Sequence, residues 1–260
     1  MNRRLVAIVP GVGLALLAVA MALVPDRSLV YAIAAPTVKV LAAVGAVLAA
    51  TAFGPGDYLR RAWILYAVSY ALLVLPDFIF GPTAPSVAMT SGLQAIVRAT
   101  FVITSNLASV IGTVMFGFAW RVGGLELPGS PIRRAMLIAL VVAVAIAIVG
   151  PSLVDHARAG SSLRGIISIG SDFSDAISFC LMAPVLLTAL ALRGGRLAWP
   201  WAVLFVSLFG WLLFDAAETI GAWAHLGDGS VRAMEELARC LACTCSFSAG
   251  VLQRAAVRPG

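Results

Sequence analysis

The chain has 260 residues, 61% of them hydrophobic and only 12% charged, with a net charge of +6. Soluble domains carry about 25% charged residues, so this composition and a mean hydropathy of +1.01 exclude an ordinary water-soluble globule. The basic residues stand at the edges of apolar runs and form no patch, which excludes a nucleic-acid surface and makes the positive charge a topology signal.

A helix needs roughly 17 to 25 apolar residues to cross about 30 Å of hydrocarbon. Eight such spans are predicted, near residues 5–24, 29–53, 62–80, 93–120, 135–153, 166–192, 197–223 and 231–252. Their apolar runs are continuous, whereas barrel strands would alternate, so the fold class is an all-α polytopic transmembrane bundle. Connections are short and rich in Gly, Pro and charge, which points to one transmembrane domain over residues 1–260. In the first span, Asn2, Arg3 and Arg4 precede an apolar run through Ala20, Met21 and Ala22, a pattern that also fits a cleavable secretory signal. The run is long for a signal, so a retained helix is the preferred reading.

With a cytoplasmic N-terminus, the inner side holds Arg3, Arg4, Arg60, Arg61, Arg121, Arg133, Arg134, Arg193, Arg196, Arg254 and Arg258. The outer side holds only Arg27, Arg98, Arg158, Arg164 and Arg232. This bias places both termini in the cytoplasm, with a bacterial inner membrane as the expected location. Ten of the 12 acids fall on the outer side or in the outer parts of the spans, all but Asp57 and Glu126.

Placing residues 63–77 over 201–215 aligns the third span with the seventh, with identities at Trp63/Trp201, Val68/Val206, Ser69/Ser207, Leu75/Leu213 and Asp77/Asp215. Arg3 and Arg4 open the first span as Arg133 and Arg134 open the fifth. Arg98 precedes Ala108 in the fourth as Arg232 precedes Ala242 in the eighth, and Gly117 with Arg121 matches Gly250 with Arg254 after a one-residue slip. The common order predicts a tandem four-plus-four parallel repeat, residues 1–129 and 130–260. The second and sixth spans match poorly and argue against it.

A charge at the bilayer centre costs at least about 2.5 kcal/mol, so intramembrane charges are paired, buried in the bundle or functional. At 1.5 Å per residue, Asp77 lies about 22 Å and Asp215 about 27 Å from the inner ends of their helices. Asp172 and Asp175 enter about 9 to 13 Å from the outer side, and Arg239 lies at a similar depth. Asp172 with Asp175, and Asp215 with Glu218, are i,i+3 pairs on one helix face, whereas Glu235 and Glu236 are spaced to pair with Arg239. Lys39, the one lysine, reaches the midplane, and Asn106 lies at comparable depth. The candidate site is therefore an outward-facing acidic pocket, with Lys39, Asn106, Asp172, Asp175, Glu218 and Arg239 as ligand-binding residues. Ser105, Asn106, Thr113 and Ser207 also fit a plainer role as hydrogen-bonding contacts between helices.

No cofactor is expected. The sequence CLACTC around Cys240, Cys243 and Cys245 lacks a second ligand cluster, His156 and His225 sit at or beyond helix ends where a bis-histidine haem cannot form, and no late helix carries a lysine for retinal.

Eight spans with Lys39 in the second, Asp77 near the end of the third, Asp215 in the seventh and Gln253 in the eighth resemble the lysoplasmalogenase-like family of integral membrane proteins. Val40, Pro76 and Phe214 depart from the Lys-Pro, Gly-Asp and Ser-Asp pairs typical of that family, and its fourth-span histidine is missing. The resemblance implies hydrolysis of a vinyl-ether lipid, with Asp77 and Asp215 as the catalytic pair. Protonating the vinyl carbon requires an acid held protonated near neutral pH, while a second carboxylate activates water. The preferred expectation is nevertheless binding or sensing of a small or amphiphilic ligand, with the hydrolase, a transporter and an accessory subunit as alternatives. Membrane lipids, and other membrane subunits, are the partners that fit.

Overall fold

The computed structural model describes residues 3–80, 93–127, 129–158 and 163–257. Among these the chain is all helical: α1 (Arg3–Leu23), α2 (Arg27–Ala50), α3 (Tyr58–Phe80), α4 (Leu93–Gly117), α5 (Ala119–Val122), α6 (Pro131–Arg158), α7 (Leu163–Cys180), α8 (Met182–Ala191), α9 (Ala198–Trp223) and α10 (Asp228–Val257). Six helices, α2, α3, α4, α6, α9 and α10, are long and apolar enough to cross a membrane. The first and sixth predicted spans correspond to shorter apolar stretches, Ile8–Leu23 and Ala176–Ala191. The sixth is also broken at Leu181, three residues before Pro184, which has no amide hydrogen to continue the α-helical ladder. At the start of α2, Asp26 caps the helix by accepting from the Ser28 amide at 2.9 Å and the Ser28 hydroxyl at 2.6 Å. These bonds hold the Asp26 carboxyl below its ordinary value.

Lipid tails are as apolar as leucine, so helices associate in a bilayer through close packing and hydrogen bonds instead of the hydrophobic effect. Helix α10 follows this rule most fully. It packs on α1, α2 and α9, and 61% of its most apolar stretch is buried, against 11% for α6. Its inward face is made of small and polar residues, among them Ala242, Cys243, Ser246, Ala249 and Gly250. A side chain at Gly250 would overlap the Gly45 carbonyl of α2, and one at Gly45 would lie 2.5 Å from the Phe247 Cα. On the other side, a Cβ at Gly210 of α9 would meet the Ala242 amide nitrogen at 2.8 Å. Backbones therefore touch at two faces of α10.

Hydrogen bonds close the remaining seams. The Ser69 and Ser105 hydroxyls lie 3.0 Å apart across α3 and α4, where the Ser105 hydroxyl also donates to the Ser69 carbonyl at 2.9 Å. Ser207 donates to the Ala242 carbonyl at 2.7 Å, and the Tyr66 and Thr113 hydroxyls lie 2.7 Å apart. Ser105, Thr113 and Ser207 thus bridge helices. At one end, Phe116 makes three near-perpendicular aromatic contacts, with Trp63 at 4.9 Å, Tyr66 at 5.0 Å and Trp201 at 5.6 Å. Each such pair adds about 0.5–1.5 kcal/mol beyond its area. At the same end, Arg254 of α10 donates to Thr51 just beyond α2 at 3.2 Å, so α2 and α10 run parallel.

Gly250→Val is expected to overpack the α2–α10 seam by about 3 kcal/mol or more, since the opposing atoms are backbone and cannot give way. Gly11→Val, where no atom lies within 4 Å, serves as the control. Thermal unfolding in detergent distinguishes them: only the Gly250 variant loses its monodisperse folded fraction.

Candidate functional site

The polar side chains within the bundle fall into three groups. The first is an ion pair between α2 and α3. Lys39 Nζ lies 2.9 Å from Asp77 Oδ2 and also donates to the Leu73 carbonyl at 3.3 Å. Asp77 and Leu73 are one helical turn apart, so a single ammonium spans both. The two side chains are 13% and 20% exposed, enclosed enough that neither is satisfied by bulk water alone.

The second group lines a cavity of about 180 Å³ between α3, α4, α7 and α9. Ser69, Tyr70 and Leu73 face it from α3, Asn106 and Ser109 from α4, Ser178 and Phe179 from α7, and Trp211, Phe214 and Asp215 from α9. These sets follow helical spacing, with Tyr66, Tyr70 and Leu73 at i, i+4 and i+7 and Trp211 with Asp215 at i and i+4. The Trp211 indole donates to the Tyr70 hydroxyl at 3.3 Å and fixes that wall. The lining mixes hydroxyl, amide and carboxylate groups with aromatic rings.

The third group is an ion-pair network on the N-terminal half of α10. Glu236, 2% exposed, meets Arg239 at 2.6 Å and Arg232 at 2.7 Å. Glu235 pairs with Arg232 at 3.0 Å. The Arg239 guanidinium also lies over the Phe214 ring, 4.7 Å from its centroid, so the network braces a residue that lines the cavity.

The predicted residues divide among these groups. Asn106 and Asp215 share the cavity, and Lys39 joins Asp77 beside it. Asp77 is not among the cavity's lining residues, so the two aspartates of the expected catalytic pair face different surroundings. Glu218 is exposed one turn beyond Asp215, in a cleft of about 860 Å³ between α9 and α10 with His225, Arg232 and Glu235. Arg239 pairs with Glu236 as its spacing predicts, but Glu235 takes Arg232 instead. Asp172 and Asp175 belong to α7, but their side chains lie outside the described residues. Gln253 is buried in α10, and its Nε2 has no hydrogen-bond partner among the described residues. Sequence reasoning missed Tyr70 and Trp211, though Tyr70 follows Ser69 on one face of α3 and Trp211 stands one turn before Asp215. Among the described residues no cluster of His, Cys, Asp or Glu is arranged to hold a metal ion.

Lys39→Met is expected to cost about 3–5 kcal/mol by leaving Asp77 enclosed without its partner, whereas the double variant Lys39→Met/Asp77→Leu recovers most of that loss. Unfolding of the four proteins of this cycle in detergent measures the coupling. In comparisons with protein-family models, with curated proteins and with solved structures, no match to the chain was found.

Proposed function

We propose that this integral membrane protein binds the polar end of a small or amphiphilic ligand in the cavity between α3, α4, α7 and α9. The observation that carries the reading is the cavity's lining, in which Ser69, Asn106 and Asp215 stand together with Phe179, Trp211 and Phe214. Such a mixed lining suits a ligand with a hydrogen-bonding head and an apolar body. In this reading the chain crosses the membrane eight times, counting α1 and the α7–α8 unit as crossings, with both termini cytoplasmic and the cavity nearer the outer face. Lys39 and Asp77 act as a structural clamp at its edge, while Glu218, one turn beyond Asp215, supplies acidity towards the outer side.

A tandem repeat supports the same arrangement. Trp63 and Trp201, matched in the alignment of the halves, both pack near-perpendicular to Phe116. Matched Gly117 and Gly250 also meet equivalent partners, Pro184 of α8 and Gly45 of α2, which belong to the sixth and second spans.

The Lys39–Asp77 pair favours a second reading, because the resemblance to lysoplasmalogenase-like proteins rests on these residues and on Asp215. In that reading the duties are unequal. Asp215, in the cavity, protonates the vinyl carbon; water adds to the resulting oxocarbenium carbon, and the hemiacetal releases an aldehyde and the glycerol hydroxyl. Asp77, engaged by Lys39, positions α3.

Asp215→Asn and Asn106→Leu are each expected to weaken binding of a single-chain lysophospholipid by about tenfold or more, read as a change in tryptophan emission with Trp211 as the reporter. Unchanged titrations in both variants would remove the cavity from consideration. Aldehyde release from a lysoplasmalogen by the wild type, lost in Asp215→Asn but kept in Asp77→Asn, would select the hydrolase. Equal retention of that activity in both would reject it.

A further inference from the structure

A groove of about 270 Å³ runs between the start of α6 and the end of α8, far along the chain from the cavity residues of α3 and α9. Its mouth is formed by Arg133, Arg134 and Arg193, and its floor by Leu137, Leu187 and Leu190; no acid among the described residues lines it. None of the three arginines has an ion-pair partner among the described residues, and Arg134 Nε is buried without a hydrogen-bond partner. A guanidinium nitrogen shut away from water and left unbonded is costly, so the site is incomplete as the protein alone. The floor opens onto the outward face of α6, where Met136 and Leu140 are 65% and 61% exposed. Arginines at the edge of an apolar furrow complement one chemistry in particular. A phosphate offers oxygens to several guanidinium forks at once, and an acyl chain below it covers the leucines.

We infer that this groove is a binding site for an anionic phospholipid, its phosphate held by Arg133, Arg134 and Arg193 and its chain laid along Leu137, Leu187 and Leu190. Basic pockets between transmembrane helices recognise acidic headgroups in this manner. The lipid would also cover α6, the least buried of the long helices, and tie it to α8. The site is independent of the ligand proposed for the cavity.

The test uses the purified full chain in detergent, titrated with phosphatidylglycerol or phosphatidylcholine and followed by native mass spectrometry of the lipid retained. The wild type is expected to retain phosphatidylglycerol at least about 25-fold better, and Arg134→Gln/Arg193→Gln to lose about fivefold per arginine removed while phosphatidylcholine is unaffected. The charge-matched control Arg60→Gln/Arg61→Gln keeps the preference. Equal retention of the two lipids by the wild type overturns the inference and requires no variant to fold. So does an equal loss in the control, which would mean general surface charge. Displacement of the lipid by inorganic phosphate at the same concentration overturns it as well, since the site would then be one for a free anion.

Discussion

Backbone contact on two sides of α10 is the constraint from which the arrangement of the bundle follows. Gly45 and Gly250 leave no room for a side chain between α2 and α10, and Gly210 leaves almost none between α9 and α10. Close approach multiplies weak dispersion contacts, which in lipid replace the hydrophobic effect as the source of association. It also explains why the most buried long helix is rich in Ala, Ser and Cys. Larger residues would force the backbones apart, and hydroxyls such as Thr244 find a carbonyl one turn back, at 2.6 Å from Cys240.

Once α2 and α9 are seated on α10, the positions of the other polar groups are limited. Helix α3 packs on α2, which brings Asp77 within reach of Lys39, and α4 packs on α3 through paired serines. The cavity opens where α7 meets α4 and α9, away from the tight α10 seams. Its α9 wall is nevertheless tied to α10, because Arg239 covers Phe214 and is itself held by the buried Glu236. A buried carboxylate between two arginines adds little net stability but fixes geometry, since losing any one member strands the others.

Much of this was legible in the sequence. Span positions followed from apolar length, and the depth of Lys39 and Asp77 followed from helical rise; both quantities depend only on counting residues. The glycines and serines of the seams were visible as small residues in apolar runs. Helix rotation was not legible, because 100° per residue lets two acids at one depth face different neighbours. Hence Asp77 and Asp215, alike in depth and in their matched positions, face a lysine and a cavity respectively. Glu235 shows the same limit: its spacing suits Arg239, yet Arg232, three residues before it, takes the contact. The break at Leu181 was signalled by Pro184, but an uninterrupted apolar run concealed it.

The two aspartates that align in the sequence have unlike settings. In the proposed repeat, each half offers an acid near the end of its third helix, preceded by a serine two turns earlier that bonds across to the next helix. Only the first half contains a lysine, and its acid is consumed by an ion pair that holds α2 to α3. Between α4 and α9 stand α7 and α8, interrupted at Leu181, and they pack on α9 less extensively than α2 packs on α3. The cavity between α3, α4, α7 and α9 is where Asp215 lies, with Asn106 on its α4 wall and Ser69 on its α3 wall. Asp77 thus lies in an ion pair and Asp215 in the wall of a cavity, so Asp215 is the acid that a ligand in that cavity would meet.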